Sequence, residues 1–501
     1  MRYTSTRDAR VDVTSAQAIA RGISPDGGLY LPKSVPALSL WEIKSLAEMD
    51  YIGRAEHILA KFLTAEGGWT RDELGEYVRG AYTGTFADPA VAPLKDFGGD
   101  AHILELFHGP TCAFKDLALQ LLPRLLAPAA AKTMGGNNAM NGAKEILILT
   151  ATSGDTGKAA LEGFKYVPGT KIVVFYPCEG VSAVQKRQMA TQEGGNVRVV
   201  GVIGNFDDAQ SGVKAIFTNE NIGVVLATRG RFLSSANSIN WGRLAPQIVY
   251  YVSAYCDLLR AGKVTAGEGI NFVVPTGNFG NILAAYYAKR MGLPVKKLIC
   301  ASNNNRILTD FFQTGIYNPN RPFHATGSPS MDILISSNLE RLLYLAARRD
   351  AEQCAGWMRQ LGAEGRYAVP PELLRSLQTE FAAGSCGEEQ CAAAIAGAWK
   401  KHSYLSDTHT AVALHVLEQY RAQTGDATRS VVVSTASPFK FAGSVLEAIG
   451  EPAPADEFAA LDALQAAAGI PCPVPLRGLR EKPVRFTETC APARMAEYTR
   501  W

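Results

Sequence analysis

From about residue 100 onward, short apolar runs alternate with amphipathic stretches. Residues 102–107, 145–150, 171–176, 197–202, 271–275, 297–301 and 430–434 read as strands. Several are near-continuous Val, Ile and Leu, the pattern of strands covered on both faces. Helical periodicity separates most of them, which predicts parallel sheets in an α/β architecture.

The chain before about residue 95 reads differently, as a mainly helical and self-contained unit. Ser39 precedes Glu42, and Thr70 precedes Glu73, by the three residues of a capping box, which predicts two helix starts. The stretch Gly-Ile-Ser-Pro-Asp-Gly-Gly-Leu-Tyr-Leu-Pro at 22–32 predicts a turn-rich ribbon, because Pro and paired Gly favour tight reversals. Residues 134–142, polar and glycine-rich, are expected to form an exposed loop. Residues 339–400 read as a helical lobe, and the chain after 476 carries no interpretable signal.

At 501 residues the chain is long enough for two or three domains. A formal net charge of +3 on that length gives no basic face, so neither nucleic acid nor an anionic membrane is expected as a partner. No apolar run reaches the length of a membrane span, and the first ten residues lack the apolar core of a secretory leader. The nine cysteines form no CxxC pair, which disfavours a disulfide framework and a zinc ribbon. A cytoplasmic protein with reduced thiols and no metal is expected.

Three strand-to-helix junctions have the composition of anion sites. Leu-Thr-Ala-Thr-Ser-Gly-Asp-Thr-Gly at 149–157 offers amides and hydroxyls at a helix start, where free N–H groups and the helix dipole favour an anion. Pro-Thr-Gly-Asn-Phe-Gly-Asn at 275–281 has two glycines that let backbone amides close on a phosphate. Ser-Ser-Ala-Asn-Ser-Ile-Asn-Trp-Gly-Arg at 234–243 leads into a long helix bearing a cation. Each junction alone could be only a helix cap. None has the GxGxxG spacing of a dinucleotide fold or the GxxxxGK of a triphosphate loop. Several separate anion loops suit a site holding more than one acidic group.

A fourth segment, His-Gly-Pro-Thr-Cys-Ala-Phe-Lys-Asp at 108–116, puts Lys115 between a strand and an apolar helix. A desolvated amine there would be held neutral and able to form a Schiff base. A surface lysine at a helix start fits the spacing equally well.

The 108–116 segment closely resembles the cofactor-lysine motif of threonine synthases. The resemblance extends in family order through Tyr-Thr-Ser-Thr-Arg at 3–7, the 22–30 ribbon, Thr-Ala-Thr-Ser-Gly-Asp-Thr-Gly at 150–157, Ser-Ala-Asn-Ser-Ile-Asn at 235–240, Pro-Thr-Gly-Asn-Phe-Gly at 275–280 and Thr-Ala-Ser-Pro-Phe-Lys-Phe at 435–441. It covers roughly residues 1–450 and looks like the longer subclass with an added N-terminal domain.

What the resemblance implies is a fold type II pyridoxal-phosphate enzyme, similar to the tryptophan synthase β chain. It would have two open parallel-sheet domains and a small N-terminal domain. The implied division is 1–95 as the N-terminal domain, 96–144 with 260–501 as the cofactor-binding domain, and 145–259 as the substrate domain. Lys115 would carry pyridoxal 5'-phosphate as a Schiff base and later move protons. Gly277, Asn278, Phe279, Gly280 and Asn281 would cradle its phosphate, Thr435 would meet the pyridine nitrogen, and Asp155 would stand near the ring hydroxyl. Ser153, Gly154 and Thr156 would meet the substrate carboxylate. Ser238, Asn240 and Arg243 are the candidates for the substrate phosphate, although Arg243 could equally be an ion-paired helix arginine. His409 resembles a position near the family's active site and is given no role.

The implied reaction turns O-phosphohomoserine and water into L-threonine and phosphate, by γ-elimination and β-addition of water. The alternative is a phospho-lyase giving 2-oxobutyrate from the same substrate. A monomer or homodimer is expected. The chain departs from the family pattern at Ser437, where histidine is usual, at Phe439, where alanine is usual, and at Asp8, where glycine is usual. Cys112 reads as filler.

Overall fold

The computed structural model describes residues 1–133, 145–178 and 181–501, so the expected loop at 134–142 lies outside the described residues. Two parallel sheets dominate. The larger has six strands in the order Phe381–Ser385, Val295–Ser302, Ile270–Pro275, Ser430–Ser434, Ala101–Glu105 and Leu94–Gly98. All its pairings are parallel except that of Leu94–Gly98 with Ala101–Glu105. The smaller has five parallel strands in the order Thr489–Cys490, Val197–Val202, Thr170–Pro177, Glu145–Ala151 and Arg231–Ser234.

Alternation along each strand explains why both sheets are covered on two faces. In the larger sheet Phe272, Val274, Leu298, Val431 and Val433 enter one core, whereas Val273, Ile299, Ala301 and Val432 enter another. In the smaller sheet Ile146, Ile148, Ile172 and Val174 join the first core, and Leu147, Leu149, Val173 and Phe175 build a third. A strand buried on both sides needs apolar residues at every position, which is the run read from the sequence.

All seven expected strands form. The elements that were missed are short or atypical. Phe381–Ser385, with sequence FAAGS, extends the large sheet from within the region read as a helical lobe. The C-terminal segment supplies Thr489–Cys490 to the edge of the small sheet, and the 3-10 helix Pro492–Arg500 buries Met495 in its core. This tail therefore pairs with the small sheet, not with the sheet of 260–434 to which the sequence-based division assigned it.

The N-terminal unit is neither purely helical nor self-contained. Both predicted capping boxes form, starting the helices Leu40–Ala47 and Arg71–Tyr82. Strands Val13–Thr14, Arg2–Ser5 and Tyr30–Pro32 add an antiparallel sheet, the last of them closing the 22–32 ribbon. Its core is continuous with that of the large sheet, where Tyr3 and Trp241 rings meet edge to face at 5.7 Å. Arg54, buried in helix Tyr51–Leu63, donates to Ser253 Oγ at 2.7 Å and Asp257 Oδ1 at 2.8 Å on the long helix Trp241–Arg260.

Candidate active site

The expected site segments follow the carboxyl ends of strands, where open α/β sheets collect their ligands. Lys115 begins the short helix Lys115–Leu119 after strand Ala101–Glu105. Two features hold it there. Phe114 N–H donates to Thr435 O at 2.8 Å and Ser437 N–H to Cys112 O at 3.0 Å, so the lysine loop and the segment after Ser430–Ser434 run side by side. Asp116, fully buried, accepts from Thr111 N–H at 2.8 Å and Thr111 Oγ1 at 2.7 Å, pinning the Gly-Pro-Thr turn. A Cβ on Gly109 would lie 2.5 Å from Asp116 Cβ, so only glycine fits that turn. Burial pushes the Asp116 carboxyl up to about 6.

The Lys115 amine lies 3.4 Å from Asp155 Oδ2 and donates to Ser330 Oγ at 3.2 Å. Its side chain is 11% exposed, which decides between the two readings left open by spacing: this is a buried amine, not a surface lysine. Burial lowers its pKa despite the opposing pull of Asp155, with Lys440 and Arg243 adding to the lowering.

Asp155 is the first residue of helix Asp155–Phe164. Its carboxylate accepts from Gln185 Nε2 at 2.9 Å and Ser330 Oγ at 3.3 Å, and it forms a close ion pair with Lys440. Burial alone would raise its pKa, but Lys440 and Lys115 outweigh that and hold it well below the carboxylate range. Gly154 precedes it with φ 137°, and no side chain caps the helix. Thr152 Oγ1 takes the Gly154 and Gly157 N–H groups at 2.9 and 2.8 Å, shaping the loop around the half-buried Ser153 and Thr156.

The 277–281 loop starts helix Gly280–Met291 through a left-handed Phe279, φ 62°. Phe279 turns its ring into the core against Phe312, so only its backbone faces the loop. A Cβ on Gly277 would come within 2.6 Å of Ser330 O, and one on Gly280 would lie 3.8 Å from Ser238 Cβ. The loop is braced from outside by Ser336 Oγ donating to Gly277 O at 2.7 Å and Asn338 Nδ2 to Asn278 O at 3.0 Å. Asn281 Oδ1 accepts from the Tyr250 and Tyr251 hydroxyls at 2.5 and 2.6 Å, leaving its Nδ2 buried without a partner.

Arg243 is buried, and among the described residues no carboxylate forms an ion pair with it. Its Nη1 donates to Ala236 O at 2.5 Å while its Nε has no partner. Burial lowers its pKa to about 10. A buried cation without a counterion suits a site that receives an anion. Asn240 does not. Its Nδ2 donates to Ile19 O at 3.0 Å and Ser235 O at 3.2 Å, and its Oδ1 caps the Trp241 helix, so no donor is left for a phosphate.

Three comparisons bear on this geometry. Family models match as Threonine synthase N terminus at residues 2–82, Pyridoxal-phosphate dependent enzyme at 89–436 and Threonine synthase, C-terminal at 410–495. A threonine synthase of Pseudomonas aeruginosa is 38% identical over 89% of this chain and 90% of its own. The chain belongs to the threonine synthase family. The crystal structure of PLP-bound threonine synthase from Brucella melitensis superimposes with a TM-score of 0.86 at 37% identity, covering 100% of this chain and 99% of that one. Threonine synthase-like 1 of Macaca fascicularis is 42% identical over 87% of this chain, which spans only 58% of that relative's length.

The residues present fit the family's cofactor, pyridoxal phosphate. The buried Lys115 amine and Asp155, first residue of the uncapped helix, both meet Ser330, against whose carbonyl oxygen Gly277 packs too closely for a Cβ, and Arg243, without a counterion, acts on Lys115 through its charge. Sequence reasoning missed three contributors. Lys440 was quoted inside a motif but given no role, although a lysine within an apolar Pro-Phe-Lys-Phe run was a usable signal. Ser330 and Gln185 sit in segments whose local sequence carries none. His409 is structural in one sense and close to the chemistry in another: its Nε2 accepts from Ser330 N–H at 3.1 Å. Cys112, buried with its thiol pushed up to about 12, holds a left-handed φ of 61° beside the lysine.

Proposed function

We propose that this protein converts O-phosphohomoserine and water to L-threonine and phosphate, with the large-sheet body holding the cofactor and the small-sheet body gripping the substrate. The observation that carries it is the buried Lys115 amine, 3.4 Å from Asp155 and facing anion-ready loops of both bodies.

Bound pyridoxal phosphate would supply an electron sink for the electron pair left at Cα of the substrate when its proton is removed. The chain's own residues do the rest. The glycine loop at 277–280 would hold the cofactor phosphate with its backbone N–H groups, and Thr435 would offer the pyridine nitrogen a hydroxyl rather than a carboxylate. Ser153, Gly154 and Thr156 present hydroxyls and amides to the substrate carboxylate. Arg243, with Ser238, receives the substrate phosphate and steadies it as it leaves. Lys115 would carry protons one at a time, from Cα and then from Cβ as the Cγ–O bond to phosphate breaks, returning one to Cγ and the other to Cα. Burial lowers its pKa, which favours the neutral amine a general base requires. Water then adds at Cβ. The small molecule is the only partner this reading requires.

The test is turnover of purified protein with pyridoxal phosphate and O-phosphohomoserine, following phosphate and threonine together. Threonine matching phosphate is expected, and Lys115→Ala is expected to abolish both while the far-ultraviolet dichroism is unchanged. Appreciable turnover by that variant would remove Lys115 from its role. A second reading, release of phosphate with decay to 2-oxobutyrate, starts from the same substrate, and Ser437 and Phe439 are where this chain departs from the family pattern near the site. 2-Oxobutyrate in place of threonine would establish it.

A further inference from the structure

The charged Lys440 side chain has no exposure at all. It follows Ser437, whose hydroxyl caps the 3-10 turn Pro438–Phe441 that swings the lysine inward. Its amine has two partners, the Asp155 carboxylate and Thr111 O at 3.2 Å. Lys115 has a looser hold on the same carboxylate, 3.4 Å away through the other oxygen. Two buried amines thus compete for one anion, and the geometry favours Lys440.

The consequence follows from charge. An amine can add to an aldehyde carbon only through a free lone pair: the C–N bond forms, and the carbonyl oxygen leaves as water with the two amine protons. A buried carboxylate committed to Lys115 alone would hold it as an ammonium and block that step. We infer that Lys440 is a positioning residue that takes the Asp155 carboxylate for itself and so keeps Lys115 uncharged for imine formation and for proton transfer. Every charged group facing the pair agrees with this balance. Asp155 comes from the following helix and Arg243 from the long helix, while Asp116, beside Lys115, is turned away onto Thr111. Besides the Asp155 carboxylate at 3.4 Å, the Lys115 amine meets, among the described residues, the neutral Ser330 hydroxyl and the Phe114 ring, 5.4 Å from the amine to its centroid.

This rests on Lys115 being the cofactor-bearing amine, and the test separates the two claims. Full-length protein freed of cofactor is exposed to pyridoxal 5'-phosphate from about pH 6 to about pH 10, reduced with borohydride, and the occupancy of position 115 read by mass spectrometry. Lys440→Met is expected to move the capture profile upward by about one pH unit or more, and Lys440→Arg to restore it. Lys440→Gln, which retains a hydrogen bond to Asp155 without the charge, should behave like Lys440→Met and serves if that variant does not fold. Capture at 115 with profiles of the Met and Gln variants superimposed on the wild type overturns the inference. Absence of any label at 115 in the wild type overturns instead the reading of Lys115.

Discussion

The imidazole of His409 accepts, through Nε2, the backbone N–H of Ser330 at 3.1 Å, and Ser330 in turn touches both Lys115 and Asp155. The ring can accept there only if its proton sits on Nδ1, which faces Asp407 Oδ1 at 3.0 Å. A buried carboxylate thus fixes a tautomer, the tautomer fixes a loop, and the loop places the hydroxyl against the reactive amine.

His409→Ala is therefore expected to lower kcat by about 10-fold to 100-fold, because a loop displaced by an ångström misplaces Lys115. Loss of a buried partner should cost about 1–3 kcal/mol of stability. His409→Gln, whose amide oxygen can accept the same N–H, should recover part of the rate. Steady-state kinetics beside thermal unfolding decides it, and full activity in His409→Ala would show that the Ser330 contact is dispensable.

Asp116 yields a pH prediction with a defined sign. Its folded carboxyl is raised to about 6 by burial, above the value in an unfolded chain. The folded state therefore holds the proton more tightly, so the associated stability is fully present below about pH 4 and is lost as pH rises through about 6. The size is on the order of 3 kcal/mol. Asp116→Asn cannot titrate and should lose that part of the slope between about pH 4 and pH 7, whatever its absolute stability. Chemical unfolding at several pH values measures it; an unchanged slope would refute it.

Two glycines should respond oppositely to the same change. Gly277→Ala places a methyl group 2.6 Å from the Ser330 carbonyl oxygen, a backbone atom that cannot turn away. The loop must shift, and cofactor retention is expected to weaken by about 100-fold, read by absorbance titration with pyridoxal phosphate. Gly397, within helix Glu388–His402, has nothing within 4 Å of the new methyl. Gly397→Ala should stabilise the protein by about 0.5–1 kcal/mol and leave cofactor binding alone.

What the sequence disclosed follows from the same physics. Strands such as Glu145–Ala151 and Ser430–Ser434 were legible because burial on both faces demands an unbroken apolar run. Phe381–Ser385 was not, because after the buried Phe381 this edge strand is only Ala, Gly and Ser, which give no apolar run to read. Lys115, Gly277 and Thr435 stood out because they lie in segments that resemble the family's motifs. Ser330 did not, since any loop with a hydroxyl looks alike until the fold brings residues 330, 155 and 115 together. Asn240 misled for a related reason: an amide before a helix is as good a cap as a ligand, and here it is the cap.

The C-terminal tail tests how the small sheet is completed. Thr489–Cys490 pairs with Val197–Val202, and Tyr498 and Trp501 lie against Arg198 and Lys171, with Lys171 Nζ 4.9 Å from the Trp501 ring centroid. Met495 and Cys490 fill the core face beside Val200 and Val202. Removing residues 487–501 would uncover that face and leave a strand rich in valine as the sheet edge, a configuration that invites pairing between chains. The truncated protein is expected to unfold at lower temperature and to aggregate, seen by light scattering during a thermal ramp. Its defect should lie in the small-sheet body, so hydrogen exchange should rise across 197–202 and 170–177 while 270–275 stays protected. Uniform loss of protection would mean that the two sheets unfold as one unit, and undisturbed exchange at 197–202 would mean that the tail contributes nothing to holding that edge.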